Sequence, residues 1–379
     1  MRTSSPAAPS TASGVPAPAR SGFTLVELMV AVGIIAILAA ILLPAIGEAF
    51  VTARTTQVVA EIQLMEKGLL DFKAKYGVDP PSSFLLCETP TDYLPTTDLD
   101  GDPNTTSAEE ALRNESFRTI RRMFPAFEPT AGSPIDFSNS NADEVGNASD
   151  DRLFLNGSEC LVFFLGGIFD DQNIAPIGFS RSQTFPFTQT LSDNRDKFME
   201  FDGQRFVDID GDGMREYIDQ YEGQTTPYVY LSSYGGTGYR LGGLDQVPVV
   251  TAAGTVETDK SSGLDNETPT LISAATALDR ESYIGPLFPY VKLVQPDGAG
   301  DSQISNPATT KLVWNESTYQ IISPGEDGIF GRGGVWSPDG GLQSEQAQTT
   351  DNVATATEDQ RDTGVEADNV TNFSAGRLN

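Results

Sequence analysis

From Phe23 to Ile46 the chain is apolar apart from Thr24, Glu27 and a few small residues. A helix of this 24-residue run, at about 1.5 Å per residue, is long enough to cross a hydrocarbon layer about 30 Å thick. The apolar part of a removable signal peptide is shorter, about 7 to 15 residues. The run therefore reads as a single transmembrane span. The alternative is a signal-peptidase cut near Gly47-Glu48-Ala49 that releases a soluble domain. Residues 1–22 are rich in Ala, Pro, Ser and Thr, carry Arg2 and Arg20, and contain no acid. A basic leader before the span and an acidic bulk after it predict a cytoplasmic leader and a large domain outside the membrane. Glu27 is the anomaly: a carboxylate placed where every neighbour favours leaving water.

The helical pattern continues past the span. Val58, Ile62, Met65, Leu69, Phe72 and Tyr76 recur at spacings of 4, 3, 4, 3 and 4, which lines one face of a helix. Glu61, Gln63, Glu66, Lys67, Asp71, Lys73 and Lys75 are assigned to the other faces. One helix is expected over 23–76, with 23–46 as the span and 47–76 amphipathic. Gly77 and Asp79-Pro80-Pro81 end it. Pro44 lies inside and is expected to kink or locally melt it.

The remainder, 77–379, reads as an extracytoplasmic globular domain. The chain has 36 Gly and 24 Pro, most of them in this part, so it should be turn-rich, and the whole chain α+β: a long helix packed on a mainly antiparallel β domain. Ser107-Ala-Glu-Glu110 looks like a capping box opening a helix to about Phe124. Ser158 to Gly167 reads as a short helix with a Ser N-cap, or as a buried strand. Strand patterns occur at 205–209, 217–218, 228–232, 290–294 and 318–322. Residues 128–150 read as a polar loop and 341–367 as a flexible excursion.

The charge excludes some functions. With 24 basic and 53 acidic residues the formal charge is −29, which repels phosphate backbones, so no nucleic acid is expected as partner. The absence of histidine removes Ser-His-Asp and Cys-His hydrolases and His-ligated zinc sites. None of the seven lysines has a serine three residues before it, so a Ser-Lys nucleophile is unsupported. Nothing in the spacing of the acids selects a catalytic pair of carboxylates. An enzyme is not expected. Cys87 and Cys160 could form one disulfide in an oxidising compartment, or remain two buried thiols.

Acidic turns can hold hard cations. Asp98-Leu-Asp100-Gly-Asp102-Pro103 has proline where a calcium loop needs glycine, and reads as a solvated turn. Asp208-Ile-Asp210-Gly-Asp212-Gly213 continues to Glu216 and Asp219, placing oxygens at loop positions 1, 3, 5, 9 and 12 with glycine at 6, the spacing that wraps Ca2+. The competing reading is a β-hairpin whose turn is made by Asp-Gly pairs.

Gly22-Phe23-Thr24-Leu25-Val26-Glu27, behind a basic leader and followed by Pro44, resembles the cleavage and methylation motif of type IV prepilins and of type II secretion pseudopilins. The resemblance implies cleavage between Gly22 and Phe23 by a prepilin peptidase, N-methylation of Phe23, and use of the helix first as an inner-membrane anchor and then in a filament core. Glu27 and Pro44 would serve assembly, Glu27 pairing with the new amine of a neighbouring subunit. Implied partners are like subunits or other pseudopilins, an inner-membrane platform protein and an assembly ATPase. The implied location is the bacterial inner membrane, single-pass, with the C-terminal domain in the periplasm. A binding or adhesive domain on a pilin-type anchor is the other reading.

A second resemblance follows. Ser323-Pro-Gly325-Glu326-Asp327-Gly328, with the later Asp368-Asn-Val-Thr-Asn372-Phe373, is similar to the C-terminal calcium loop of the major pseudopilin. It implies Asp327 and Asp368 as side-chain ligands and the Ser323 carbonyl as another. Some thirty additional residues separate the two halves in this chain, which puts closure of the loop in question.

Overall fold

The structure, a computed structural model, describes residues 24–94, 108–129, 137, 152–170, 175–188, 194–209, 213–233, 239–241, 249–250, 256–257, 270–272, 290–294, 310–328, 330, 335–338, 341–343 and 368–378. It divides into two compact units, Met1–Thr52 and Ala53–Asn379.

Helix α1 (Leu25–Tyr76) is unbroken over 52 residues. Pro44, which lacks an amide donor, lies inside the helix without melting it. In the first unit every large hydrophobic residue of α1 from Leu25 to Phe50 is exposed. A helix this apolar must find its packing in lipid or in another chain.

In the second unit α1 buries Val58, Ile62, Met65, Leu69 and Phe72, the stripe given by the sequence period. Glu61, expected on another face, is buried with them. It stands three residues after Val58 and four before Met65, so helical geometry puts it on the same stripe. Its carboxylate receives two hydrogen bonds of 2.6 Å from Arg205, one of 3.2 Å from Tyr217 Oη and one of 2.7 Å from Tyr228 Oη. Burial opposes the Arg205 charge, yet the hydrogen bonds and charge of Glu61, together with Tyr217 and Tyr228, hold its pKa above the usual value.

Helix α2 (Ala108–Met123) packs on strand Phe84–Cys87, where Ser116 Oγ accepts the Leu85 amide at 2.9 Å. The proposed cap Ser107 lies outside the described residues. Helix α3 (Gly157–Gly166) has all ten residues buried, the signature of a helix apolar on every side. Its N-cap is Asn156 rather than Ser158: Asn156 Oδ1 accepts the Ser158 and Glu159 amides while Glu159 returns a bond to the Asn156 amide. Ser158 Oγ instead donates to the Tyr228 carbonyl at 2.5 Å. Between α1 and α3 lies an aromatic core, with Phe164 at 5.5 Å from Phe72 and 5.3 Å from Phe84.

The strands form small sheets. Phe84–Cys87 pairs with Arg152–Leu155, and Phe206–Val207 with Glu216–Tyr217, both antiparallel. Pro176–Ser180 lies between Ile168–Phe169 and Arg195–Asp196. Tyr319–Ser323 lies between Val370–Thr371 and Val229–Ser232, again antiparallel. A four-stranded sheet runs Thr310–Val313, Val291–Val294, Val335–Ser337, Gly341–Gln343, with one parallel pairing at Val291 and Val335. The architecture is α+β and mainly antiparallel. Residues 341–343, assigned to the flexible excursion, are a strand held by 335–337. The rest of that excursion lies outside the described residues, as does most of 128–150, although Phe137 is buried and donates its amide to Glu88 Oε1.

Candidate functional site

The two halves of the C-terminal acidic motif meet. Strand Tyr319–Ser323 pairs with Val370–Thr371, which brings Asp368 beside the turn that follows Ser323. Asp368 Oδ2 accepts the amides of Glu326 at 2.6 Å and Asp327 at 3.0 Å. A Cβ on Gly325, whose φ is +74°, would fall 2.5 Å from the Asp368 carbonyl, so the close approach requires glycine. Asn372 completes the closure: its Oδ1 accepts the Ile321 amide at 3.0 Å and its Nδ2 donates to Glu66 of α1 at 3.1 Å. The inserted residues thus leave the closure intact.

Asp219, read from sequence as the last ligand of the Asp208 stretch, belongs to this turn instead. Its Oδ2 accepts Ser323 Oγ at 2.6 Å and its Oδ1 the Tyr221 amide at 3.0 Å, with Gln224 Nε2 at 3.2 Å from both oxygens. Gln224 also donates to the Gly325 carbonyl at 3.1 Å, and Thr226 Oγ1 to the Gly328 carbonyl at 2.7 Å. Burial pushes the Asp219 carboxyl up to about 6 despite the opposing hydrogen bonds from Ser323, Tyr221 and Gln224. Burial also raises the pKa of Asp368, against the amides of Asp327 and Glu326. Gln224 and Thr226 were not marked by any sequence signal; they reach the turn only because 213–228 folds against it.

The strands that flank the Asp208 stretch pair as the hairpin reading expects. Phe206–Val207 pairs with Glu216–Tyr217, and the buried Glu216 accepts the Ile209 amide at 3.2 Å. Asp210 and Asp212 lie outside the described residues. Among the described residues no three acidic side chains gather as a metal-ligating group. For the C-terminal turn the residues fit a cation in one respect: Asp368 Oδ1 is buried and has no hydrogen-bond partner. Asp327 is exposed, and Arg377 pairs with Glu326 at 2.8 Å on the same rim.

Cys87 and Cys160 are buried thiols rather than a disulfide. The Cys160 thiol donates to the Leu155 carbonyl, while the Cys87 amide is held by Tyr93 Oη. The two cysteines are built into different local contacts.

At the other end of the chain, α1 opens with a capping box. Thr24 donates its amide and its hydroxyl to Glu27 Oε2 at 2.9 and 2.8 Å, and Thr24 Oγ1 accepts the Glu27 amide at 3.2 Å. Glu27 also lies in the first turn, where the helix dipole favours an anion. Gly22 and Phe23 lie outside the described residues. Residues 18–43 match the prokaryotic N-terminal methylation motif. Together with the long apolar N-terminal helix, this decides the reading. The chain fits a type IV prepilin-like protein. Neither a curated protein nor a solved structure matches it.

A prepilin-like chain is a substrate of prepilin peptidase and assembles with like pilin subunits. In this prepilin-like protein the motif and the exposed apolar helix mark a membrane anchor. The capping role of Thr24 is carried by a local signal, Thr-x-x-Glu, and adds to the intersubunit role expected of Glu27.

Proposed function

We propose that this protein is a structural subunit, a pseudopilin of a type II secretion pseudopilus or a pilin of a type IV pilus-like filament. It is held in the bacterial inner membrane with its C-terminal domain in the periplasm until assembly by a platform protein and an ATPase. The observation that carries this is the methylation motif at residues 18–43 at the head of a helix whose large hydrophobic residues, Leu25 to Phe50, are all exposed. A side chain such as Leu gains about 1.5–3 kcal/mol on burial, so a row of them drives both membrane storage and packing against other copies. In the filament Glu27 pairs with the amine released at Phe23 of a neighbour. Mass spectrometry of the mature protein is expected to show a methylated N-terminus at Phe23. A start at Met1, or after Ala49, would overturn the reading.

We further propose that the C-terminal turn binds Ca2+, with Asp368 and Asp327 as side-chain ligands and the Ser323 carbonyl as another. The unpartnered Oδ1 of Asp368 supports this. The Asp208 stretch is the weaker of the two sites, since Asp219 is engaged by Ser323. Bound at the C-terminal turn, the ion would neutralise the carboxylates that burial disfavours and fasten Asp368 to the turn after strand Tyr319–Ser323.

A further inference from the structure

Helix α2 has a buried side and a charged one. Leu112, Ser116, Ile120 and Met123 are buried in the domain, while Arg118, Arg121 and Arg122 are exposed. At positions i, i+3 and i+4 the three arginines share one face of the helix. Elsewhere in the described residues exposed basic side chains are paired with carboxylates, as Arg54 is with Glu222, Lys73 with Asp79 and Arg181 with Asp196. The three α2 arginines take part in no ion pair among the described residues, and Arg121 lies over the Phe117 ring, 5.7 Å from its centre. Arg121 and Arg122 complement the negative end of the helix, an effect confined to the last turn. Arg118 stands before that turn and gains nothing from it.

This face stands at one end of the gripped part of α1. The ring of Phe124, the residue after α2, lies 5.4 Å from that of Tyr76, the last residue of α1. At about 1.5 Å per residue, Thr55 is about 31 Å back along the helix. There the balance of charge is reversed. Glu222, 83% exposed, pairs with Arg54, and Glu326, 48% exposed, pairs with Arg377, which in turn donates to Thr55. Asp327 is exposed beside Glu326. Each paired carboxylate keeps acceptor capacity for a second cationic donor. The domain thus carries arginines without an acid at its Tyr76 end and an acidic rim at its Thr55 end.

We propose that Arg118, Arg121 and Arg122 dock on the rim around Glu222 and Glu326 of a second copy of this chain, in a head-to-tail contact. The inference rests on the filament reading and adds which surfaces of the domain meet. A two-fold contact centred on α2 would set arginines against arginines, so the interface is heterologous, the kind that continues into an open fibre instead of closing as a dimer. An anionic lipid surface carries the complementary charge as well, but the apolar span lies at the other end of α1, and a chain of formal charge −29 is repelled by such a surface. Exposed ion pairs add little adhesion. The apolar helix supplies that, and the charges select the orientation in which copies stack.

Cross-linking in fibres of the full-length protein tests this. R118K/R121K/R122K keeps the charge and supplies amines that a carbodiimide joins directly to carboxylates. In fibres grown from mixed isotopically light and heavy copies, peptides with the introduced lysines are expected to be joined to peptides containing Glu222 or Glu326 of the other isotope. Links confined to one isotope, or none to the Thr55 end, overturn the proposal. R118E/R121E/R122E is expected to lower the yield of sheared fibres roughly tenfold, with cleavage after Gly22 and the Tm of the detergent-solubilised protein unchanged. An unchanged yield overturns the contact, as does a Tm that falls along with the yield, since the arginines would then serve the fold. Should the lysine variant not assemble, the glutamate variant decides. An unaltered chain that makes no fibre overturns the filament reading and this contact with it, whereas fibres without these links overturn the contact alone.

Discussion

Glu27 and Glu61 lie on one helix and put a carboxylate to opposite uses. Glu27 is exposed and bound within its own first turn by Thr24. That arrangement satisfies the acid locally while the helix is stored, where a carboxylate at mid-membrane would cost roughly 2.5–3.5 kcal/mol and one near the end less. It also leaves acceptor capacity for a cationic group on a neighbour. Glu27→Ala is therefore expected to leave cleavage after Gly22 largely intact and to lower incorporation into filaments. Quantifying processed protein in membranes against sheared fibres would check this, and normal incorporation would contradict the role given to Glu27. Glu61, in contrast, is satisfied completely inside the domain by Arg205, Tyr217 and Tyr228. Its position was legible from helical spacing, since it follows Val58 by three. Its partners were not, because they come from residues more than a hundred positions away.

At the scale of elements, α3 carries the domain. It is buried on all sides, capped by Asn156, and touches both α1 and the strand Val229–Ser232. Its first residue is the tightest point: a Cβ on Gly157 would stand 2.0 Å from the Tyr230 carbonyl, which is backbone and cannot rotate away. Gly157→Ala should destabilise the domain by about 1–3 kcal/mol or more through overpacking, seen as a lower Tm. Gly47→Ala, on α1 with nothing within 4 Å, should leave the Tm unchanged or raise it slightly, because alanine is the better helix former. Equal effects of the two would show that space, not propensity, had been misjudged. The sequence marked α3 by its apolar run and its terminal glycines. It left helix and strand open because a fully buried segment has no polar face to set a period.

For the whole molecule, the last residues of the chain bind its beginning to its middle within the domain. Val370–Thr371 extends the sheet of Tyr319–Ser323, Asn372 reaches Glu66 and Arg377 donates to Thr55 of α1. Calcium at the Ser323–Asp368 turn would tighten that closure. Chelation is expected to lower the Tm of the full-length protein, by about 2.7 kcal/mol of stabilisation lost if the ion is at a hundred times its Kd. Asp368→Asn should abolish the shift and Asp208→Asn should not; no shift at millimolar calcium would remove both sites. The N-terminal sequence by itself determined the anchor, the processing motif and the extent of α1, because hydropathy, period and a contiguous motif are local properties of a chain. The sequence of 77–379 determined the α+β class, through turn residues and short strand patterns. Only the tertiary structure decided that Asp219 leaves the Asp208 stretch for Ser323, that the two C-terminal half-motifs close across a long insertion, and that Cys87 and Cys160 remain thiols. It alone decided which charges enter the core with Glu61. Each of these depends on strand pairing and helix packing between distant residues, and linear spacing carries no record of such contacts.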